Sequence, residues 1–134
     1  MSNEDPRLRL LRQIPEWRTA LDNIEWSSDT RSLLDTMVVA SHGLRPLLRS
    51  DEIMWYVTSG IGVQDDARRV ELAQDLEYAR EQVRQGLVEE TDPAMTLAHL
   101  HMAEALIRHV IDDLESAVSS WSEAPVEAPT APGS

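Results

Sequence analysis

Three of the chain's four histidines lie within one short run, TLAHLHMAEALIRHV, from Thr96 to Val110, with Glu104 between them. Imidazole and carboxylate on one helix can ligate a metal or move a proton. A helical metal site uses ligands three or four residues apart, so that they share a face. No two of His99, His101 and His109 have that spacing. The close histidine–carboxylate pairs are His101 with Glu104 and His109 with Asp113, and neither supplies a third ligand. At about 100° of rotation per residue, the three imidazoles point in three directions. His99 falls at the edge of the apolar seam, His101 opposite it, and His109 on a flank. No metal site is expected here. One question stays open: whether His99, at the seam edge, faces a carboxylate from another helix.

A second run, SHGLRPLL from Ser41 to Leu48, places a histidine before glycine, leucine, arginine and proline. It resembles the phosphoacceptor box of histidine kinases and the related box of histidine phosphotransfer domains, which are all-α. The resemblance covers these eight residues. It implies His42 as phosphoacceptor and Arg45 as a residue that helps to hold the phosphoryl group. Read from the residues alone, His42 sits in the last turn of a helix that Gly43 ends, where a cation suits the helix dipole.

Acidic pairs are the third candidate. Asp65-Asp66, Glu89-Glu90 and Asp112-Asp113 offer carboxylates to Mg²⁺. They resemble only loosely the EExxE and ExxD stripes of acidic helical bundles that hydrolyse nucleotides. Glu71, Asp75 and Tyr78 form the nearest stripe, and no second stripe answers it. Phosphate-binding glycine loops and the GxSxG nucleophile motif are absent from the sequence. No complete catalytic set emerges, so the expectation is a non-enzyme without a cofactor.

Tryptophan is the fourth candidate. Trp17 and Trp121 fit helical core stripes. Trp26 lies in the polar break EWSSD, and Trp55-Tyr56 lies in an ambiguous middle segment. Aromatic residues at helix ends and loops anchor interfaces. Trp26, Trp55 and Tyr56 are therefore the candidate partner-binding residues.

The elements that must position these groups read as helices. Asp5-Pro6 is an N-cap followed by the first helical residue. Leu8, Leu11 and Ile14 then fall on one face, and Pro15 kinks this helix or starts a second one, carrying Trp17, Ala20, Leu21 and Ile24. Ser28 or Asp29 caps a helix from Thr30 to about His42, with Leu33, Leu34, Met37, Val38 and Ser41 as its stripe. Residues 44–63 are the hardest to assign. Helix is favoured there, although IMWYV also has β character. Asp65 or Asp66 opens a helix to Gln85, with Leu72, Leu76, Ala79 and Val83 spaced 4-3-4. Gly86 stops it. Asp92-Pro93 repeats the cap signature and opens a helix to about Trp121. Leu100, Ala103, Ile107, Val110, Leu114, Ala117 and Trp121 are spaced 3-4-3-4-3-4 along it. These periods predict an all-α single bundle of four or five helices with a long antiparallel C-terminal hairpin over 65–121. Residues 1–121 form one domain, and residues 122–134 form a disordered Pro/Ala-rich tail.

The 134 residues suffice for one domain with a real core. Cysteine is absent, which removes disulfides and thiolate chemistry and fits a reducing compartment. The polar start, MSNEDPRLRL, has no signal-peptide character. The longest apolar run, Ile53 to Val57, is far short of a membrane span. A cytoplasmic protein is expected. Net charge is −12. Residues 1–60 hold nine acids and seven arginines, and residues 61–134 hold fifteen acids and five arginines. Such a surface repels nucleic-acid phosphate, so direct nucleic-acid binding is not expected. It suits a partner protein with a basic surface, or self-association. The function expected is a non-catalytic acidic helical interaction module or accessory subunit. The alternatives are a phosphotransfer-like protein using His42 and an acidic mimic of nucleic acid that inhibits a basic partner.

Overall fold

A computed structural model describes residues 5–26, 32–49, 51–60 and 63–127. The elements are α1 (Pro6–Asp22), α2 (Leu33–Arg49), α3 (Glu52–Thr58), α4 (Asp66–Arg84), a π turn (Gln85–Glu89) and α5 (Pro93–Glu127). The protein is all-α. The caps form as the sequence dictates. The side chains of Asp5, Asp65 and Asp92 accept from the backbone N–H groups of Arg7, Ala67 and Ala94, at 2.9, 3.0 and 3.0 Å.

Helices α4 and α5 lie against each other over most of α4. Thr96 bonds to Gly86, His99 to Gln82, His109 faces Asp75, and Asp113 pairs with Arg68. One number rises as the other falls, which is antiparallel pairing. Leu72, Leu76, Ala79 and Val83 are buried on α4. Leu100, Ala103, Ile107, Val110 and Leu114 are buried on α5, and Ile111 and Val118 widen that seam. The side chain of Trp121 lies outside the described residues. Helix α5 runs to Glu127, past the expected end at Trp121. Residues 128–134 of the expected tail lie outside the described part.

Helix α1 packs on α5 through Leu10, Ile14, Trp17 and Leu21. Arg18 clamps the pair from outside, 2.7 Å from Asp112 and 2.5 Å from Glu115. Its hydrogen bond to Asp112 raises the guanidinium pKa above its ordinary value, against a smaller opposing effect of burial. Arg108 of α5 reaches back to Asp22 at 3.0 Å.

Four expectations about local structure change. First, Pro15 does not start a second helix: α1 is one helix, and Pro15 is exposed on it. The backbone carbonyl that loses its partner belongs to Leu11, itself an exposed residue. Second, Leu8 and Leu11 are exposed, and the buried stripe begins at Leu10. Continuity with Trp17 and Leu21 selects Leu10 and Ile14, which are spaced 4-3-4 with them. Third, α2 starts at Leu33, where the Ser32 hydroxyl accepts from the Asp35 N–H at 3.1 Å. Ser28 and Asp29 lie outside the described residues. Fourth, α2 continues through Gly43 and Pro46 to Arg49. Its buried stripe is Thr36, Ala40, Ser41, Leu44, Leu47 and Leu48, while Leu33, Leu34 and Val38 are exposed. Burial of three leucines beyond Gly43 holds the helix together.

Gly43 has a different purpose from a helix stop. A Cβ there would overlap the Ile24 side chain, so the missing side chain lets the end of α1 approach α2. Gly86 is similar. A Cβ there would lie 3.0 Å from His99 Cβ and 3.3 Å from the Thr96 carbonyl oxygen. Helix α4 does not stop at it but widens into the π turn. The buried Thr96 hydroxyl donates to the Gly86 carbonyl at 2.8 Å, which satisfies one acceptor at the widened end.

Candidate functional site

The three histidines of α5 go to three places. His99 is bound: its Nδ1 lies 2.8 Å from Gln82 Oε1, and its Nε2 lies 3.8 Å from Glu90. The open question is answered. The carboxylate nearest the His99 ring comes not from another helix but from Glu90, in the connection that follows the π turn. His101 stacks on Trp26, with ring centroids 3.8 Å apart and planes at 26°. His109 lies 3.6 Å from Asp75 and 4.0 Å from Asp113. The Arg68 guanidinium pairs with Asp113 and lies 3.4 Å from the same imidazole nitrogen of His109. A cation already occupies the position a metal would need. Among the described residues no group of three histidines or carboxylates is arranged to hold a metal ion.

The three candidate anchors also separate. Tyr56 is buried, between Trp17 at 6.2 Å and Trp55 at 5.0 Å. It is a core residue, because α3 is helical and turns Tyr56 inward with Ile53 and Val57. Trp26 is half-buried against α5, and its indole Nε1 is buried without a hydrogen-bond partner among the described residues. Trp55 alone remains exposed, at 46%. It borders a small cleft with Pro6, Arg9 and Glu52, where Arg9 and Glu52 pair at 2.9 Å.

His42 is exposed near the middle of α2, and Arg45 is exposed about one turn further on. The helix does not end beside the imidazole.

A groove that the sequence reading did not single out lies along the outer side of α4 and the end of α3. Its volume is about 700 Å³. Val70, Ala73 and Tyr78 of α4 and Thr58 of α3 line it, with Asp66 and Glu77 at its edges. Val70 is 57% exposed and Tyr78 is 51% exposed. Arg69 is tied down beside them. It pairs with Asp66 and donates to the carbonyls of Val63 and Gln64, both at 2.9 Å. The signal was present in the spacing of Val70, Gln74 and Tyr78, four residues apart on one face. Tyr78 reads as part of the acidic stripe with Glu71 and Asp75 only when Val70 is ignored.

A second cleft, of about 420 Å³, lies between the C-terminal turns of α2 and α4 and the π turn. Its lining is arginine and aliphatic residues. Comparisons with known protein families, with curated proteins and with solved structures find no match to this chain. Among the described residues no helix is long and apolar enough to cross a membrane.

Proposed function

We propose that this chain is a non-catalytic acidic helical module that binds another protein through the groove between α3 and α4. One observation carries the reading. Helix α4 has its core face fully used by Leu72, Leu76, Ala79 and Val83, yet it presents a second apolar face with Val70 and Tyr78 half exposed. An amphipathic helix needs one such face for its own fold. Contiguous exposed apolar surface rimmed by charge marks interaction sites. Asp66 and Glu77 line the groove, paired with Arg69 and Arg80, in a chain of net charge −12. The partner that fits is an amphipathic helix with basic flanks. The lack of cysteine supports a cytoplasmic setting.

The test is co-purification from the native host with wild type and with a Val70→Asp/Tyr78→Asp variant. Both residues are exposed, so the variant should keep its helical circular dichroism and melting temperature. A protein retained by wild type and lost by the variant supports the reading. An unchanged set of bound proteins, with both forms monomeric by light scattering, refutes it.

One observation favours a second reading. His42 is exposed on an unbroken helix of an all-α bundle, with Arg45 about one turn away, as a phosphotransfer-like role requires. Incubation with acetyl phosphate, comparing wild type with His42→Gln, tests it. Acid-labile phosphate on wild type alone supports it, and none on either form ends it.

A further inference from the structure

The arginines of this acidic chain are not used alike. Arg9, Arg18, Arg68, Arg69, Arg80, Arg84 and Arg108 each pair with a carboxylate. Arg45 and Arg49 pair with none among the described residues. They stand one turn apart on the exposed side of α2. Across a cleft of about 420 Å³ stand Arg80 and Arg84, also one turn apart, on α4. No carboxylate lines this cleft. Three other clefts each include an acid: Asp66 and Glu77, Asp51 and Glu52, or Glu115. In a chain with twice as many acids as arginines, a concavity lined by arginine without acid stands apart.

The two far arginines are preset. Arg80 Nε donates to the Leu48 carbonyl at 3.0 Å and its Nη1 lies 3.1 Å from Glu77. Arg84 is held by Glu81 and, at 2.9 Å, by Glu89. Among the described residues no group engages the guanidinium donors of the two near arginines. The floor is apolar, with Leu48 and Val83 beneath and Val88 at 72% exposure beside them. Val88 and Glu89 both come from the π turn. Such turns are uncommon and concentrate at functional sites. The Cβ atoms of each arginine pair stand about 6 Å apart, and a cleft of about 420 Å³ is of small-ligand size. A partner helix would need several turns of contact.

We infer that this cleft binds a small amphiphilic anion: one phosphate or carboxylate head, held by Arg45 and Arg49, on a short apolar body that covers Leu48, Val83 and Val88. Arginine forks recognise either head in a bidentate manner. Apolar lining with a few convergent charges is the usual make-up of a small-ligand site. The cleft is separate from the α3–α4 groove, so either site can fail without the other.

The test is amide chemical-shift titration of the full chain, at constant ionic strength, with hexyl phosphate, hexanoate, inorganic phosphate and hexanol. Saturable shifts centred on Arg45, Arg49 and Val88 are expected with hexyl phosphate or hexanoate, whichever head fits better. The dissociation constant should be at least about tenfold lower than for inorganic phosphate or hexanol. Arg45→Ala/Arg49→Ala should weaken it about tenfold or more. Arg7→Ala/Arg12→Ala, which changes net charge equally, should not. Val88→Ser should weaken the hexyl ligands and leave inorganic phosphate unchanged. No saturation, shifts centred elsewhere, equal binding of hexanol or of inorganic phosphate, or equal loss in both double-arginine variants would overturn the inference.

Discussion

Gly43 offers the sharpest test of how this bundle is held together. It lies inside α2, with helical residues on both sides. Away from other contacts, Gly→Ala in a helix interior stabilises by about 1 kcal/mol. A Cβ at this position, however, would overlap Ile24, which is buried at 7% exposure. Forcing an extra carbon into a packed contact costs about 1–3 kcal/mol. The clash offsets or outweighs the propensity gain, so Gly43→Ala should destabilise by up to about 2 kcal/mol on balance. For a chain of this length that lowers the melting temperature by up to about 8 °C. Ile24→Ala removes the clashing atoms. It costs about 2–4 kcal/mol by itself, within the stability of an ordinary domain. In that background Gly43→Ala should reverse sign and stabilise by about 1 kcal/mol. The coupling in the double-mutant cycle is then the clash itself, about 1–3 kcal/mol. Urea unfolding followed by circular dichroism measures all four forms. A Gly43→Ala effect of the same sign and size with and without Ile24 would refute the reasoning. So would stabilisation in the wild-type background.

Three further outcomes are expected. Leu10→Ala should cost about 2–5 kcal/mol, whereas Leu8→Ala, at 58% exposure, should stay within about 0.5 kcal/mol; urea midpoints compare them directly. Thr96→Val should cost about 1–3 kcal/mol by leaving the Gly86 carbonyl without its buried donor, and amide exchange should quicken in the π turn. The hydrogen bond from Arg84 holds the Glu81 carboxyl below its ordinary pKa. Its contribution to stability is therefore present above the ordinary carboxylate range and is lost as pH falls through the lowered value. The difference between wild type and Glu81→Gln, read from thermal melts, should be small at neutral pH and vanish in strong acid. A difference that grows on acidification would contradict that sign.

Much of the fold was legible before any coordinates. The aspartate caps at Asp5, Asp65 and Asp92 are local chemistry, decided by a side chain and the backbone two residues on. The α4–α5 hairpin was legible because seven-residue periodicity leaves only one face to bury. The site was less legible. Tyr56 and Trp55 are neighbours in sequence, and only the rotation of α3 against α1 and α4 makes one core and the other surface. Leu34 and Val38 are aliphatic, as Leu44 and Leu48 are. Which of the two stripes on α2 is buried depends on where the neighbouring helices lie, and periodicity cannot say. The α4 groove was visible in principle, as Val70, Gln74 and Tyr78 repeat every four residues, but a second apolar face is noticed only once the first is known to be occupied.

By itself the sequence determined that the chain is helical and that the three histidines of α5 do not share a face. Those properties depend on residues within a few turns of each other. Tertiary structure alone decided the rest. Gly43 and Gly86 read locally as helix ends, and contact with Ile24 on one side and with Thr96 and His99 on the other makes them points of close approach instead. Arg45 and Arg49 are separated by more than thirty positions from Arg80 and Arg84. No local rule joins them across one cleft; the packing of α2 against the end of α4 does.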